Sequence, residues 1–435
     1  MRKSKSLVVV LSLLLTAAAA SAAVAADWPC WRGPYRDGIC RETGLLKEWP
    51  AEGPTLLWKT KELGEGYSGP AIVGSMLYTM GQRNGREWVI ALDCASEGRV
   101  VWATPISPIR HNGGGYPGPR STPSVHRGKV YSLGINGDLV CIDATNGRGI
   151  WHHNLAVEFG GSIPQWGYSE SVLVDGRWVV CTPGGSQATM LALWRLNGEK
   201  VWGSPIGDAA AYSSIIKVSI GKTHQYVQFT AKGVVGVKVR GGKLLWRYDK
   251  PANDKGINVT TPVWFGQTIF ASSDYDAGGG VVWPKKTELG EFTPEEIYFT
   301  DKMQNHHGGL IFWDGCLYGC SNPGELKCMN YKTGEVLWTD DSCGKCSLLF
   351  ADGMLYARSE KGQVSLVRAT PEGFHLKGRF NQPNRTRRPS WPHPVISGGR
   401  LFLRDQNMLL CYDVKTPPTD QPKKTGKRRD KAREH

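Results

Sequence analysis

The chain has 435 residues, a formal net charge of +14, 40% hydrophobic residues and 21% charged residues. That is ample material for a folded core, and it excludes a disordered or fibrous chain. No strongly apolar stretch is long enough to span a bilayer, which excludes a helical channel or transporter. Much of the charge sits at the two ends: residues 1–26 carry +3 and residues 415–435 carry +5, leaving +6 on residues 27–414. A body this mildly basic gives no electrostatic case for nucleic acid.

Residues 1–26 read as a secretory signal. Arg2, Lys3 and Lys5 form the charged start, Leu7 to Leu15 the apolar segment, and Ala23-Val24-Ala25 or Val24-Ala25-Ala26 the cleavage site. The expected location is therefore outside the cytoplasm, periplasmic or secreted. No cysteine directly follows the cleavage site, so a lipid anchor is not expected. Residues 27–54 form a leader rich in Trp, Pro and Gly that opens DWPCWRGPYRDGIC. Residues 415–435 are Pro-led and charge-rich, and are expected to be a basic disordered tail.

Everything between, residues 55–414, repeats. In Gly128 to Trp151 three short strands are separated by Asn136-Gly137 and Asn146-Gly147, turn pairs that tolerate positive φ. A fourth strand is expected at Ser121 to His126. A four-stranded meander cannot bury its own faces. A glycine followed four residues later by tryptophan recurs at Gly98/Trp102, Gly147/Trp151, Gly198/Trp202, Gly242/Trp246 and Gly334/Trp338. Self-similar strand units at a period of about 40–50 residues predict an all-β chain, a β-propeller. Eight units begin near Tyr67, Arg120, Tyr168, Tyr212, Asn258, His307, Lys345 and Trp391. Unit five ends at Tyr298-Phe299 and unit seven at Phe374, without the Gly/Trp pair. The eighth stops at Asp413 one strand short. Thr55 to Lys59 supplies the missing outer strand, with Trp58 in the tryptophan role, so both termini close the ring. A closed ring without free edges predicts a monomer.

Eleven cysteines leave at least one unpaired within the chain. Cys141, Cys328 and Cys411 occupy one repeat position and read as small apolar residues that do not pair with each other. Cys30 and Cys40 flank a loop that a disulfide could close. Cys343-Gly-Lys-Cys346 lacks the strand-to-helix setting of a redox motif and reads as a local disulfide or two free thiols. Four thiols at Cys316, Cys320, Cys343 and Cys346 also have spacing that zinc accepts, but no metal site is assigned.

The D-W-P-x-W-R-G-P leader, the A-L-D or C-I-D strands and the Gly-x-x-x-Trp endings resemble the pyrroloquinoline-quinone-like (PQQ-like) propeller proteins, over residues 27–414. The resemblance implies an eight-bladed, quinoprotein alcohol dehydrogenase-like fold. That fold serves both quinoprotein dehydrogenases and the BamB-type outer-membrane assembly propeller, so it does not choose a function. Aligned units place Tyr67, Arg120, Ser121, Tyr168, Glu170, Tyr212, Asn258, His306, His307, Lys345, Trp391 and His393 on the innermost strands around the channel. Arg120, Lys345 and a protonated His suit carboxylates, and Tyr168, Tyr212 and Trp391 suit a flat ring or sugar. A PQQ enzyme would need calcium ligands, a catalytic Asp and usually adjacent cysteines. The cysteine pair is missing. Ala271-Ser272-Ser273-Asp274 and Asn305-His306-His307 stand where the resemblance puts ligands and the catalytic Asp. Glu170 remains as a calcium ligand and Asp274 or Asp301 as a base. The expectation is a non-catalytic binding or scaffold protein for a ligand, glycan or protein partner, without cofactor. PQQ/calcium-dependent dehydrogenation and outer-membrane assembly are the alternatives.

Overall fold

The computed structural model describes residues 27–306 and 309–417. The secretory segment, His307 and residues 418–435 of the basic tail lie outside the described residues. Eight antiparallel sheets of four strands follow one another, one of them extended by a fifth strand. The chain is an eight-bladed β-propeller. Blade 2 shows the unit: Ser124–His126, Lys129–Leu133, Asp138–Asp143 and Gly149–Asn154, each paired with the next. Its middle strands are buried on both faces because neighbouring blades stack on each side. The first hairpin turns on Arg127-Gly128, both at positive φ (47° and 70°), as a two-residue turn requires. At Asn136-Gly137 only Gly137 takes positive φ; the Asn136 amide instead donates to the Pro108 carbonyl of blade 1.

The Gly/Trp spacing has a two-part cause. In every blade the outermost strand carries a register shift against its neighbour, a β-bulge at one repeated place. The tryptophan that follows sits opposite a small residue: Ala91, Cys141, Ala192, Gly236, Cys328 or Cys411. The rings of Trp58, Trp102, Trp151 and Trp202 cover the glycine of the next blade. A Cβ at Gly147 would lie 2.8 Å from Trp102, and one at Gly198 would lie 3.1 Å from Trp151. Glycine is thus dictated by the previous blade's ring as well as by its φ near +75°. The preceding Asp of blades 1, 2 and 8 caps the turn, its carboxylate accepting the N–H two residues on.

Blade 8 closes as expected: Leu56–Thr60 pairs antiparallel with Met408–Asp413, and Trp58 packs over Gly98 of blade 1. The expected end of unit seven at Phe374 is corrected to the strand Leu376–Asn381, where Phe380 takes the tryptophan role against Gly53. Free edges are also corrected. Closure pairs the blades into a ring, but each outermost strand keeps one unpaired edge at the rim.

The leader does more than precede the ring: it threads the channel. Trp28 exchanges two backbone hydrogen bonds with Ile72 of blade 1, both 2.8 Å, and the Pro29 carbonyl accepts from Val125 of blade 2. The Trp31 indole donates to Thr261 of blade 5 (3.1 Å). Arg32 donates to the Leu310 carbonyl of blade 6, and Arg36 to the Ser171 and Val172 carbonyls of blade 3. Ile39–Cys40 then adds a parallel strand to blade 7. Six blades are tied to one strap. Lys415 and Thr416, expected in the tail, still pair with Leu45 and Gly44 of the leader.

All eleven cysteines are free thiols. The Cys30 thiol donates to the Gly33 carbonyl instead of bridging to Cys40. Cys346 donates its N–H to the Cys320 sulfur (3.2 Å), while Cys343 lies against Arg379. Among the described residues no three His, Cys, Asp or Glu side chains converge as a metal would need.

Candidate functional site: an aromatic funnel

Above the strap the channel opens into a cavity of about 290 Å³. Its walls come mostly from the segments that lead into the innermost strands, and not from those strands themselves; Trp31 of the leader and Tyr275, in a turn of blade 5, complete them. These connections are long between blades 1 and 2 (109–123) and between blades 2 and 3 (155–172), and they fold inward. Trp31 and His393 form the floor, ring centroids 4.4 Å apart. One wall is Trp391 with Tyr67 (4.6 Å) and Tyr116 (4.8 Å). Across from it stand Trp166 and Tyr212 (5.8 Å), then Tyr275 and His306 (5.5 Å). The Trp391 indole is held by the Glu360 carboxylate at 2.7 Å.

Of the residues expected at this level, Tyr67, Arg120, Tyr212, His306, Trp391 and His393 line the cavity. The other described ones do not. Ser121 is buried and donates to the Leu133 carbonyl. Tyr168 is buried with its hydroxyl on the Pro183 carbonyl (2.7 Å). Asn258 is buried in a network with Asn253 and the carbonyls of Thr230 and Ala231. Lys345 is half-buried and off the wall, and its carbonyl accepts the Glu360 N–H. Glu170 is sealed between blades: it accepts from the Thr182 backbone (2.7 Å), the Thr182 hydroxyl and Gln228. Burial pushes its carboxyl up to about 8 although the Arg36 charge opposes this. Unit alignment found the right level of the channel, but the short connections turn their polar side chains into the walls to satisfy buried backbone.

Arg120 is also different in kind from a carboxylate fork. Its terminal nitrogens donate to the Gly113, Tyr116 and Gly118 carbonyls, and its plane lies 5.5 Å from the Tyr67 ring. Burial lowers it to about 10, so it remains a cation at neutral pH. It offers the funnel a positive face with three of its donors already committed. Lys255 lies 4.3 Å over Tyr275, and Arg388 bonds the Gly115 carbonyl at the rim. The residues that sequence reasoning missed are Trp31, Tyr116, Trp166 and Tyr275. The signals were the aromatic leader and the two long connections, HNGGGYPGPR and SIPQWGYS among them.

A calcium-bound quinone does not fit these residues. Among the described residues the wall presents no Asp, Glu, Asn or Gln, so a hard cation finds no ligand set there. Ser272 and Ser273 are committed to the Met303 and Pro251 carbonyls. Asp301 is an exposed surface ion pair with Lys302.

Several known proteins share this architecture. BamB from Moraxella catarrhalis aligns with a TM-score of 0.59 and 14% identity, over 82% of this chain and 97% of that one. Quinohemoprotein alcohol dehydrogenase from Comamonas testosteroni aligns with a TM-score of 0.64 and 13% identity, over 91% and 82%. At such identities they show the fold alone. The outer membrane protein assembly factor BamB of Kangiella koreensis is 34% identical over 82 residues, which is 19% of this chain and 18% of that relative's length. The family described as "Outer membrane protein assembly factor BamB" matches residues 85–340. With more than half of its length matched, this chain belongs to that family.

Proposed function

We propose that this propeller is an exported, non-catalytic binding module whose ligand enters the aromatic funnel. The observation that carries this reading is a funnel closed below by the strap, walled by aromatic rings and, among the described residues, lacking any carboxylate on its wall. Such a site has surface to hold a ligand. It lacks the paired acid and base, the nucleophile with its base, and the cation ligands that the common reactions need. The test is a ligand-observed NMR screen of small molecules, oligosaccharides and short peptides. It compares the full chain with a Trp166→Ala/Trp391→Ala variant. Hits that vanish in the variant support the reading. No hit dependent on those residues overturns it, as does dye reduction with alcohol or sugar once quinone and calcium are supplied.

Family membership favours a second reading, a part in outer-membrane protein assembly. Retention of unfolded outer-membrane β-strand segments on immobilised protein would support it, and no retention would remove it.

A further inference from the structure

Several polar groups of the funnel have a proton to donate. The Ser171 hydroxyl accepts the Thr122 N–H (2.8 Å), and the Ser214 hydroxyl accepts the Ser171 N–H (3.0 Å). Each hydroxyl keeps its proton to donate, and both residues line the cavity. The Tyr212 hydroxyl accepts the Trp166 N–H in the same way. Arg120 and His306 are on the wall, and Lys255 and Arg388 stand over aromatic rings or carbonyls at the mouth. Against these donors the wall sets no carboxylate and no side-chain amide among the described residues. A neutral polyol would bring its own hydroxyl protons and find few acceptors. An acceptor-rich anion matches instead.

The rings set the shape. Tyr67 and Trp391 are inclined at 37°, Tyr116 and Trp391 at 46°, Trp166 and Tyr212 at 62°, and Tyr275 and His306 at 83°. Adjoining rings are thus inclined to one another and turn their faces in different directions. Such walls suit a puckered ring with C–H groups on both sides. From these two observations we infer that the funnel takes an acidic sugar, a hexuronate residue of a glycan, its ring against Trp391 and Trp166 and its carboxylate toward the Ser171, Ser214 and Arg120 donors. This rests on the binding-module reading and names the ligand class for the same site.

The experiment is saturation-transfer NMR with titration at low salt on the full chain. The probes are digalacturonate, a neutral galactose disaccharide, 4-hydroxybenzoate and pyrroloquinoline quinone. Digalacturonate is expected to bind at least tenfold more tightly than the neutral disaccharide and to weaken as salt rises. Trp166→Ala and Trp391→Ala, checked by melting temperature for intact folding, should each weaken it at least tenfold, and Lys255→Ala a few-fold. Equal binding of the neutral disaccharide, or preference for the hydroxybenzoate, overturns the acidic-sugar inference and leaves the binding module standing. No digalacturonate binding also overturns the inference, and the broader screen then decides the module by itself. Binding unaffected by both tryptophan variants, or binding of the quinone in place of the sugar, overturns both.

Discussion

The two ends of the central channel are built from the same kinds of residue and put them to opposite use. At the closed end, Trp28, Arg32 and Arg36 are buried, and the two guanidinium groups bond main-chain carbonyls of blades 3 and 6. At the open end, Trp391, Trp166 and Arg120 stand around an open space, with the Trp391 indole and the Arg120 guanidinium tied back to the protein. The difference is what lies opposite. A ring or guanidinium facing another blade becomes a staple, and one facing the cavity becomes a surface for a ligand. Residue type therefore tells less about role here than the layer of the channel in which the residue falls.

Substitutions can break that contrast or sharpen it. The largest effect is expected at the closed end: Trp28→Ala should cost about 3–5 kcal/mol in denaturant unfolding, because the ring is buried and the site cannot collapse around a rigid ring of blades. Arg36→Ala should follow, at about 2–4 kcal/mol, since it strands the Ser171 and Val172 carbonyls. Lys at position 36 should recover only part, having no planar fork to span both. If either change left stability intact and altered ligand binding, the contrast between the ends would fail.

Glu87 tests the wall just behind the open end. It is buried under the funnel rim, accepts the Ile135 N–H and is pushed by burial from 4.5 up to about 7. Below about pH 4.5 both the folded and unfolded chains hold this proton, and the site carries no penalty. As pH rises from there to about 7, the unfolded chain ionises and the folded chain does not, so stability falls. The loss amounts to up to about 3 kcal/mol by pH 8. Glu87→Gln should flatten this part of the stability–pH curve, and a curve identical to the parent's would show that folding leaves the carboxyl's pKa unchanged. The smallest stability effect is expected inside the funnel. Tyr116→Ala should cost under about 1 kcal/mol, since its ring is half-exposed and packs mainly on other funnel rings. Its ligand affinity should nevertheless drop several-fold, read by the same titration.

Much of the ring was legible along the chain. The five Gly/Trp pairs, the Asn-Gly and x-Gly turns and the short final unit announce eight blades and their closure by Leu56–Thr60. They do so because each is a local demand: a bulge, a positive φ, a ring over a glycine, repeated wherever a blade meets the next. The unit starting points also marked the level of the funnel, and six of the expected residues line it. Other features were not local. Nothing in DWPCWRGPYRD states that the leader runs inside the channel; its path is decided by six blades offering carbonyls and N–H groups at once. Nor does the repeat state that Tyr168, Glu170 and Asn258 turn into the walls while Tyr116, Trp166 and Tyr275 turn into the cavity. A buried backbone group must be satisfied by whichever polar side chain is near in space. Long connections free their aromatic residues to reach the axis, and only the assembled ring determines which reach it.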